Sequence, residues 1–329
     1  MKCVVSLPTP ECLALAEKLI AAGELVAFPT ETVYGLGASA RSESAVCKIY
    51  EAKGRPSDNP LIVHTDSVEN VGKIGVWTPL ARKLAQAFLP GPLTLVLERK
   101  PEICPRVSAG LDTVAVRVPD HPVAQAFLRA VHEPIAAPSA NSSTRPSPTT
   151  AAHVLHDLGD RIGLIVDGGT CGVGIESTVV DATGDFVRVL RPGVITAEMI
   201  EKIAPVRTGS DADTAIRSPG VKYKHYAPAC EVRLFRHGNL ARMQAAYDAE
   251  ISKNPVFLCS AASAEKLVGN RIVLGHDERE TAHALYAALL EAEAKFGLIL
   301  LEACADTALG RSVNNRMFKT GGSRYEGET

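Results

Sequence analysis

The sequence predicts an α/β protein with two domains and a linker between them. Apolar runs of strand length alternate with amphipathic helical segments along most of the 329 residues, a pattern typical of α/β folds. A chain of this length exceeds the roughly 100 to 200 residues of a usual domain. The polar stretch RTGSDADTAIRSPG at residues 207–220 interrupts the alternation. We therefore expect one domain at 1–206, a linker at 207–228 and a second domain at 229–329.

The first domain begins with a helix followed by a buried strand. Residues 11–22 place Leu13, Ala16 and Ile20 on one helical face, and Gly23 ends this helix before the apolar run ELVAF. Further strands are predicted at NPLIVH, LTLVLE, TVAVRVP, PIAAPS, GLIVDGG and STVVDA, with helices near 42–52, 78–88, 121–131 and 149–158.

The second domain repeats the alternation with short connections. Strands are predicted at CEVRLF, PVFLCS, RIVLG and LILLEA, and helices at 239–251, 262–268, 278–296 and near 312–319. Such regular alternation favours a small doubly wound, Rossmann-like sheet.

The composition argues against several classes of protein. With 35 Lys and Arg against 37 Asp and Glu, there is no cationic excess of the kind that binds nucleic-acid phosphates, which leaves RNA binding open without indicating it. The eight cysteines contain no C-x-x-C pair, so neither a zinc site nor a disulfide framework is predicted. No apolar run reaches the ~18 residues of a membrane span, and no signal-peptide core is present. We expect a soluble cytoplasmic protein with no membrane partner.

A first candidate site is the stretch EAKGRPSDNPL at residues 51–61, which we expect to be an irregular loop. Lys53 and Arg55 are separated by one residue, and Asn59 adds an amide. A guanidinium fork beside an ammonium point charge suits a polyphosphate. The alternative is that both cations are solvated surface charges, which is the commoner case for these residue types.

A second candidate is PIAAPSANSSTRPSPT at residues 134–149, where an apolar strand runs into hydroxyls and an amide. Ser139, Asn141 and Ser147 lie among prolines that stiffen the chain. Such a loop can present donors to a nucleotide at a small entropic cost. The alternative is a Ser- and Pro-rich surface turn.

A third candidate is the glycine-rich segment DGGTCGVGIESTVVD at residues 167–181, which follows a predicted strand. It has neither the P-loop pattern nor G-x-G-x-x-G. Ser177 could bind a ligand, but it is not surrounded by the G-x-S-x-G of a serine hydrolase. His153 and His156 lack a third metal ligand, so we interpret them as a solvated helix face.

Single polar residues at predicted strand ends complete the candidates. Arg117 is the most informative cation because it interrupts the apolar run VAVRV, and a charge in a buried strand is costly unless it is paired or faces a ligand. The others follow or end a predicted strand and are Thr30, Thr32, His64 and Arg191.

In this order, the segments FPTETVYGLG, YEAKGRPSDNPLIVH, PGPLTLVL, GLDTVAVRVP, PIAAPSANSSTRPSPT, DGG…GIESTVVD and VLRPG resemble the YrdC-type threonylcarbamoyl-adenylate synthases. The segment SPGVKYKHYAP and the second domain resemble the longer, two-domain form of that family. The most specific element is K-x-R with a distant S-x-N, formed here by Lys53, Arg55, Ser139 and Asn141. The resemblance implies a twisted open mixed sheet with flanking helices for the first domain.

The resemblance also implies an activity and a set of site residues. Members of the family make L-threonylcarbamoyl-AMP from L-threonine, bicarbonate or CO2 and ATP, with release of pyrophosphate. Contacts to threonine are implied for Thr32, His64, Arg117 and Ser177, with Thr30 as a weaker candidate. Contacts to ATP are implied for Lys53, Arg55, Asn59, Ser139, Asn141, Ser147 and Arg191, with Thr113 as a weaker candidate.

The family also suggests a lid, a metal and a downstream partner. Tyr223, His225 and Tyr226 of the linker are expected to cover the nucleotide; Tyr226 is a candidate contact to ATP, and which of the three touches it is left open. Mg²⁺ is expected to arrive with ATP and to be held mainly by its phosphates, without an organic cofactor. The product is expected to pass to a tRNA threonylcarbamoyl-transferase that modifies the adenosine beside the anticodon.

Two other functions fit parts of the sequence. Hydrogenase-maturation proteins contain a related domain, but their zinc-finger cysteines and acylphosphatase-like segment are missing from this chain. A double-stranded RNA binding module would track phosphates with a cationic cleft, and the balanced charge argues against that as the main function.

Overall fold

The computed structural model describes residues 3–207, 226–321 and 325–327. The described residues form two compact units. The first unit runs to residue 207 without the short segments 144–146 and 173–175, which group with the residues from 226 onward in the second unit. Residues 208–225 of the predicted linker lie outside the described residues.

The first unit contains strands and helices that alternate along the chain. Its strands are β1 (Val4–Ser6), β2 (Val26–Phe28), β3 (Gly35–Ser39), β4 (Ile62–His64), β5 (Gly75–Val76), β6 (Leu93–Arg99), β7 (Thr113–Arg117), β8 (Ile135–Ala137), β9 (Leu164–Val166), β10 (Thr178–Asp181), β11 (Val187–Arg191) and β12 (Val206–Arg207). Its helices are α1 (Pro10–Ala21), α2 (Glu43–Lys53), α3 (Val68–Val71), α4 (Pro79–Phe88), α5 (Pro122–Val131), α6 (Ala151–Leu158) and α7 (Ala197–Glu201).

Among the described residues, the strands of the first unit form one 12-stranded mixed sheet. The strand order is β1-β9-β2-β3-β8-β4-β7-β6-β10-β11-β12, with β5 beside β6. The sheet contains parallel pairs, such as β4 with β7, and antiparallel pairs, such as β6 with β7. The predicted mixed sheet with flanking helices is thereby confirmed.

Helices cover both faces of this sheet because the buried strands alternate their side chains between them. Val26 and Phe28 pack in one apolar cluster with residues of α1 and α5. Ala27, which lies between them, belongs to a second cluster with residues of α2, α4 and α6. The central strands of the sheet are therefore buried on both sides.

The expected irregular loop at 51–61 needs a correction, because its first three residues belong to α2. The Ser42 side chain accepts a hydrogen bond from the Ala45 N–H and caps the start of this helix. Gly54 ends it with φ +60°, a left-handed conformation that glycine adopts without strain. Lys53 is thus the last helical residue and is buried, not a surface loop residue.

The second unit is a smaller domain with one parallel sheet. Its strands are β13 (Glu231–Phe235), β14 (Pro255–Ser260), β15 (Arg271–Gly275) and β16 (Leu298–Glu302), and its helices are α8 (Leu240–Ala249), α9 (Ala261–Ala264), α10 (Glu278–Lys295) and α11 (Ala308–Gly321). The strand order is β13-β16-β14-β15 and every pair is parallel. This confirms the predicted Rossmann-like sheet, although α9 is shorter and α11 longer than the sequence predicts.

Within the parts of the chain that the structure describes, no helix combines the length and the apolar character that crossing a membrane requires.

Candidate functional site

The centre of the candidate site lies where two neighbouring parallel strands end. His64 is the last residue of β4 and Arg117 is the last residue of β7, and the two are paired in register. Both side chains are buried. Because parallel strands end at the same edge of a sheet, this pairing places the two groups side by side at the carboxyl edge, where α/β folds bind ligands.

Two threonine hydroxyls from the loop after β2 lie beside Arg117, one in direct contact and one behind it. Its Nη1 donates to Thr32 Oγ1 at 2.8 Å, and Thr32 Oγ1 lies 2.9 Å from Thr30 Oγ1. Thr30 Oγ1 in turn donates to the Val33 carbonyl at 2.7 Å. On the other side, Arg117 Nε donates to the Gly91 carbonyl at 3.3 Å. The guanidinium is thus fixed by hydroxyl and carbonyl oxygens on two sides.

Glu31 supplies a carboxylate that the sequence analysis missed. Its Oε1 lies 2.7 Å from Arg117 Nη2, and its side chain is only 12% exposed. The signal that would have found it is the need of a buried guanidinium for a nearby countercharge. Glu31 is the acidic residue between the two threonines that were already candidates.

His64 is a neutral member of the site. Burial, followed by the positive charge of Arg117, lowers the pKa of His64 to about 3. The ring is therefore uncharged at neutral pH and can donate or accept a hydrogen bond without adding a charge beside Arg117.

Lys53, of the K-x-R element, is in direct contact with Ser139 and Asn141, of the S-x-N element. Its Nζ donates to the Ser139 carbonyl at 2.5 Å and to the Asn141 carbonyl, and it lies 3.4 Å from Asn141 Oδ1. Burial, followed by the positive charge of Arg55, lowers the pKa of Lys53 well below the usual range of a lysine. Through these contacts Nζ links the end of α2 to the loop that carries Ser139 and Asn141.

Arg55 shapes the loop that follows α2. Its Nε donates to the Asn59 carbonyl at 3.2 Å and its Nη2 donates to the Pro60 carbonyl at 3.0 Å. The guanidinium thus closes the turn that presents the buried Asn59 amide.

Ser177 and Arg191 form one hydrogen-bonded group. Arg191 Nε donates to the Ser177 carbonyl at 3.1 Å, and Arg191 Nη2 donates to Ser177 Oγ at 3.2 Å. Ser177 Oγ also lies 2.8 Å from Thr94 Oγ1. Arg191, which is implied for ATP, and Ser177, which is implied for threonine, are therefore in direct contact. Glu176, the residue before Ser177, accepts a hydrogen bond from Ser147 Oγ at 2.6 Å through its Oε1.

Unsatisfied polar atoms are concentrated in these residues. Among the described residues, five buried side-chain atoms have no hydrogen-bond partner, and they are Glu31 Oε1 and Oε2, Asn59 Nδ2, His64 Nδ1 and Arg117 Nη2. The 2.7 Å contact of Glu31 with Arg117 is an ion pair without hydrogen-bond geometry. Since buried polar groups are normally bonded, such a concentration indicates a place for a polar ligand.

The assignments of Thr113 and Tyr226 to ATP stay predictions. Thr113 begins β7 and Arg117 ends it, so they are separated by about 13 Å at ~3.3 Å per residue. Tyr226 belongs to the second unit, where its ring lies 5.1 Å from that of Tyr286. Tyr223 and His225 lie outside the described residues.

A metal cluster is also absent from the residues that the structure describes. No group of three or more His, Cys, Asp or Glu side chains is placed to hold an ion there. The outer His156 of the predicted helix face is exposed and lies 3.2 Å from Asp157.

The fold and the site together are typical of an α/β enzyme that binds a small polar substrate. His64 and Arg117 end two neighbouring parallel strands, and Thr32 and Glu31 contact the Arg117 guanidinium, an arrangement suited to a small polar ligand. The family model described as "Telomere recombination", which unites Sua5, YciO and YrdC proteins, matches residues 18–193. The model described as "Threonylcarbamoyl-AMP synthase, C-terminal domain" matches residues 195–322.

Individual relatives match nearly the whole chain. Threonylcarbamoyl-AMP synthase of Bacillus subtilis is 44% identical over 95% of this chain and 93% of its own. The enzyme of the same name from Pyrococcus abyssi is 43% identical over 95% and 94%. The crystal structure of P. abyssi Sua5 complexed with L-threonine has a TM-score of 0.88 at 40% identity, covering 98% of this chain and 97% of that one. The chain belongs to the threonylcarbamoyl-AMP synthase family, a family of nucleotidyltransferase-type enzymes, in its two-domain form.

Proposed function

We propose that this protein makes L-threonylcarbamoyl-AMP from L-threonine, bicarbonate or CO2 and ATP, and that it releases pyrophosphate. The observation that carries the proposal is the set of unsatisfied polar atoms around Arg117. In a chain that belongs to this family, that set offers a place for a small zwitterion beside groups suited to phosphates.

The threonine end of the site is assigned to four residues. Arg117 retains an unsatisfied Nη2 donor for a carboxylate. The neutral His64 and the hydroxyls of Thr32 and Ser177 can exchange hydrogen bonds with the threonine hydroxyl. A polar pocket of this kind rejects valine, because its groups would be left unpaired. Rejection of serine depends on one methyl group, which is worth only about 1 to 3 kcal/mol in an apolar pocket.

The ATP end is assigned to the remaining cations and amides. Arg55 and Arg191 supply positive charge for a polyphosphate, and bound phosphates favour the charged form of Lys53. Asn59 Nδ2 has no partner among the described residues and is available to the nucleotide. Ser139, Asn141 and Ser147 lie on the loop that Lys53 contacts. We assign the Mg²⁺ that accompanies ATP mainly to phosphate oxygens and water, which are the ligands that this ion prefers.

The reaction forms two bonds in sequence. The threonine ammonium first loses a proton to water, and the resulting amine bonds to the carbon of CO2 and releases a second proton to water, which gives a carbamate. A carbamate oxygen then bonds to the α-phosphorus while the bond to the β-phosphate oxygen breaks and pyrophosphate leaves. Negative charge grows on the leaving group, so the cations act by positioning and electrostatic stabilisation. Because carbamates lose CO2 in water, the burial of His64, Arg117 and Ser177 favours the intermediate by limiting solvent access.

The product determines what must follow. Threonylcarbamoyl-AMP is a mixed anhydride that water hydrolyses, so an acyl-transfer reaction has to consume it promptly. We propose that a tRNA threonylcarbamoyl-transferase accepts it and modifies the adenosine beside the anticodon.

Pyrophosphate release by the purified protein tests this function. We expect release from ATP and bicarbonate to require L-threonine, to be slower with L-serine and to be abolished by Lys53→Ala. Lys73→Ala, at an exposed lysine of the same unit, is the matched control and should release pyrophosphate as the wild type does. Pyrophosphate release that does not depend on threonine, or that Lys53→Ala still shows, contradicts the proposal.

A further inference from the structure

We propose that Glu31 binds the α-ammonium group of L-threonine and thereby selects an α-amino acid. This inference rests on the proposed function, which places threonine at Arg117, and it assigns a role to a residue outside the predicted site. Glu31 would act by direct contact with the substrate.

The Glu31 carboxylate accepts no hydrogen bond from the described residues. The Glu31 side chain is 12% exposed. A carboxylate that is mostly removed from water and accepts no hydrogen bond is costly. The ion pair with Arg117 offsets part of that cost and leaves both oxygens able to accept N–H donors.

The unsatisfied atoms of Arg117, Glu31 and His64 match the polar groups of a threonine zwitterion. Arg117 Nη2 is a donor, the Glu31 oxygens are acceptors, and His64 Nδ1 can serve as either. Threonine carries three matching groups: its carboxylate requires a donor such as Arg117 Nη2, its ammonium requires acceptors such as the Glu31 oxygens, and its hydroxyl can pair with His64 Nδ1. The guanidinium, the carboxylate and the imidazole are joined by the 2.7 Å ion pair and by the β4–β7 register.

Glu31 also balances the charge of the occupied site. Arg117 alone would repel an ammonium brought close to it, and this repulsion is strong where water is scarce. With Glu31 beside it, the ligand carboxylate faces the guanidinium and the ligand ammonium faces a carboxylate. His64 adds no charge, since its pKa is lowered to about 3. The occupied site therefore buries two charges of each sign and no net charge.

A different role for Glu31 makes a different prediction. If Glu31 only orients Arg117, its loss weakens every ligand whose carboxylate binds Arg117. If it contacts the ammonium, its loss weakens only ligands that carry an ammonium. (R)-3-Hydroxybutyrate separates the two roles, because it is L-threonine with the ammonium replaced by hydrogen.

The experiment measures the dissociation constants of L-threonine and (R)-3-hydroxybutyrate by calorimetry, with the weaker ligand titrated in competition. The wild type should bind threonine at least tenfold more tightly than the analogue. Glu31→Gln, which keeps the shape and removes the charge, should weaken threonine by about ten- to a hundredfold, the range of a charge-assisted hydrogen bond. The same substitution should change the affinity for the analogue by less than about threefold.

Controls keep the result interpretable. Glu24→Gln removes an exposed carboxylate of the same unit and should leave both affinities unchanged, and ATP affinity reports that Glu31→Gln is folded. Glu31→Asp keeps the charge and should retain more discrimination than the Gln variant. Equal losses for the two ligands, or no loss for either, overturn the inference about Glu31. A wild-type protein that does not bind threonine contradicts the proposed function itself.

Discussion

At the scale of single residues, the site depends on charges that the fold keeps away from water. Arg117 was predictable because a cation inside an apolar strand requires a reason to be there. Glu31 was not, because one acidic residue in a short polar segment resembles any surface loop. Its burial depends on where that segment lies beside Arg117, 86 positions later in the numbering. Proximity of that kind is a product of the fold and not of local sequence.

Arg117→Ala should separate the two substrates. We expect threonine to bind at least a hundredfold more weakly, because the variant removes a buried partner of a carboxylate and leaves Glu31 unpaired. ATP affinity should change by less than about threefold. Calorimetric titration of each ligand measures both, and Arg129→Ala, at an exposed arginine of α5, serves as the control. Equal losses for threonine and ATP would refute the assignment of Arg117.

His64 should make stability depend on pH. Its pKa is about 3 in the folded protein against the ordinary 6.5, so between these values the unfolded chain binds more protons than the native one. The free energy of unfolding should therefore fall as pH drops below about 6.5, by up to about 1.4 kcal/mol per pH unit from this group.

His64→Gln removes that titration and should flatten the profile between about pH 6.5 and the acid limit of folding. Urea unfolding of both proteins over this range measures the difference, and groups common to both proteins cancel. Parallel profiles for the two proteins would show that His64 is not buried in its neutral form.

At the scale of elements, the periodic strands and helices were predictable and the glycine-rich strand was not. β3 reads GLGAS, which lacks the β-branched and aromatic residues that identify strands. It nevertheless lies between β2 and β8 and is buried throughout. Glycine is required because neighbouring side chains fill the space. A Cβ on Gly37 would lie 2.8 Å from Ile135 Cγ2 and 3.0 Å from Phe28 Cε1.

Gly37→Ala should therefore destabilise the first unit. We expect the free energy of unfolding to fall by about 1 to 3 kcal/mol, the usual cost of overpacking a core. Gly184→Ala is the matched control, because its Cβ would meet no atom within 4 Å. Urea unfolding measures both variants. If Gly37→Ala is as stable as Gly184→Ala, the neighbours of β3 are not packed as the structure has them.

The boundary of α2 shows a second limit of prediction at this scale. The sequence predicted a helix near 42–52, but it did not show that the helix includes Lys53 and buries its side chain. That outcome depends on the carbonyls of Ser139 and Asn141, which accept from Nζ. Two carbonyls that are distant in sequence thus allow Lys53, a residue type usually found at the surface, to be buried.

At the scale of the whole molecule, strand order is what assembles the site. Five separate segments of the chain carry the candidate residues Thr32, His64, Arg117, Ser177 and Arg191. The strand order β2-β3-β8-β4-β7-β6-β10-β11 places the strands next to these residues in one sheet. Local periodicity predicts that strands exist and says nothing about which of them are neighbours. The motifs identified the residues through the family resemblance, and the pairing of strands then showed how several of them meet.

The central claim is that one site joins threonine, a one-carbon unit and AMP. The most direct measurement is mass spectrometry of the nucleotide formed by the purified protein from MgATP, L-threonine and ¹³C-bicarbonate, with pyrophosphate measured in parallel. We predict threonylcarbamoyl-AMP that carries the ¹³C label, formed in equal amount with pyrophosphate and absent when threonine is omitted. Pyrophosphate formed without threonine, or an adenylate without the label, would contradict the claim.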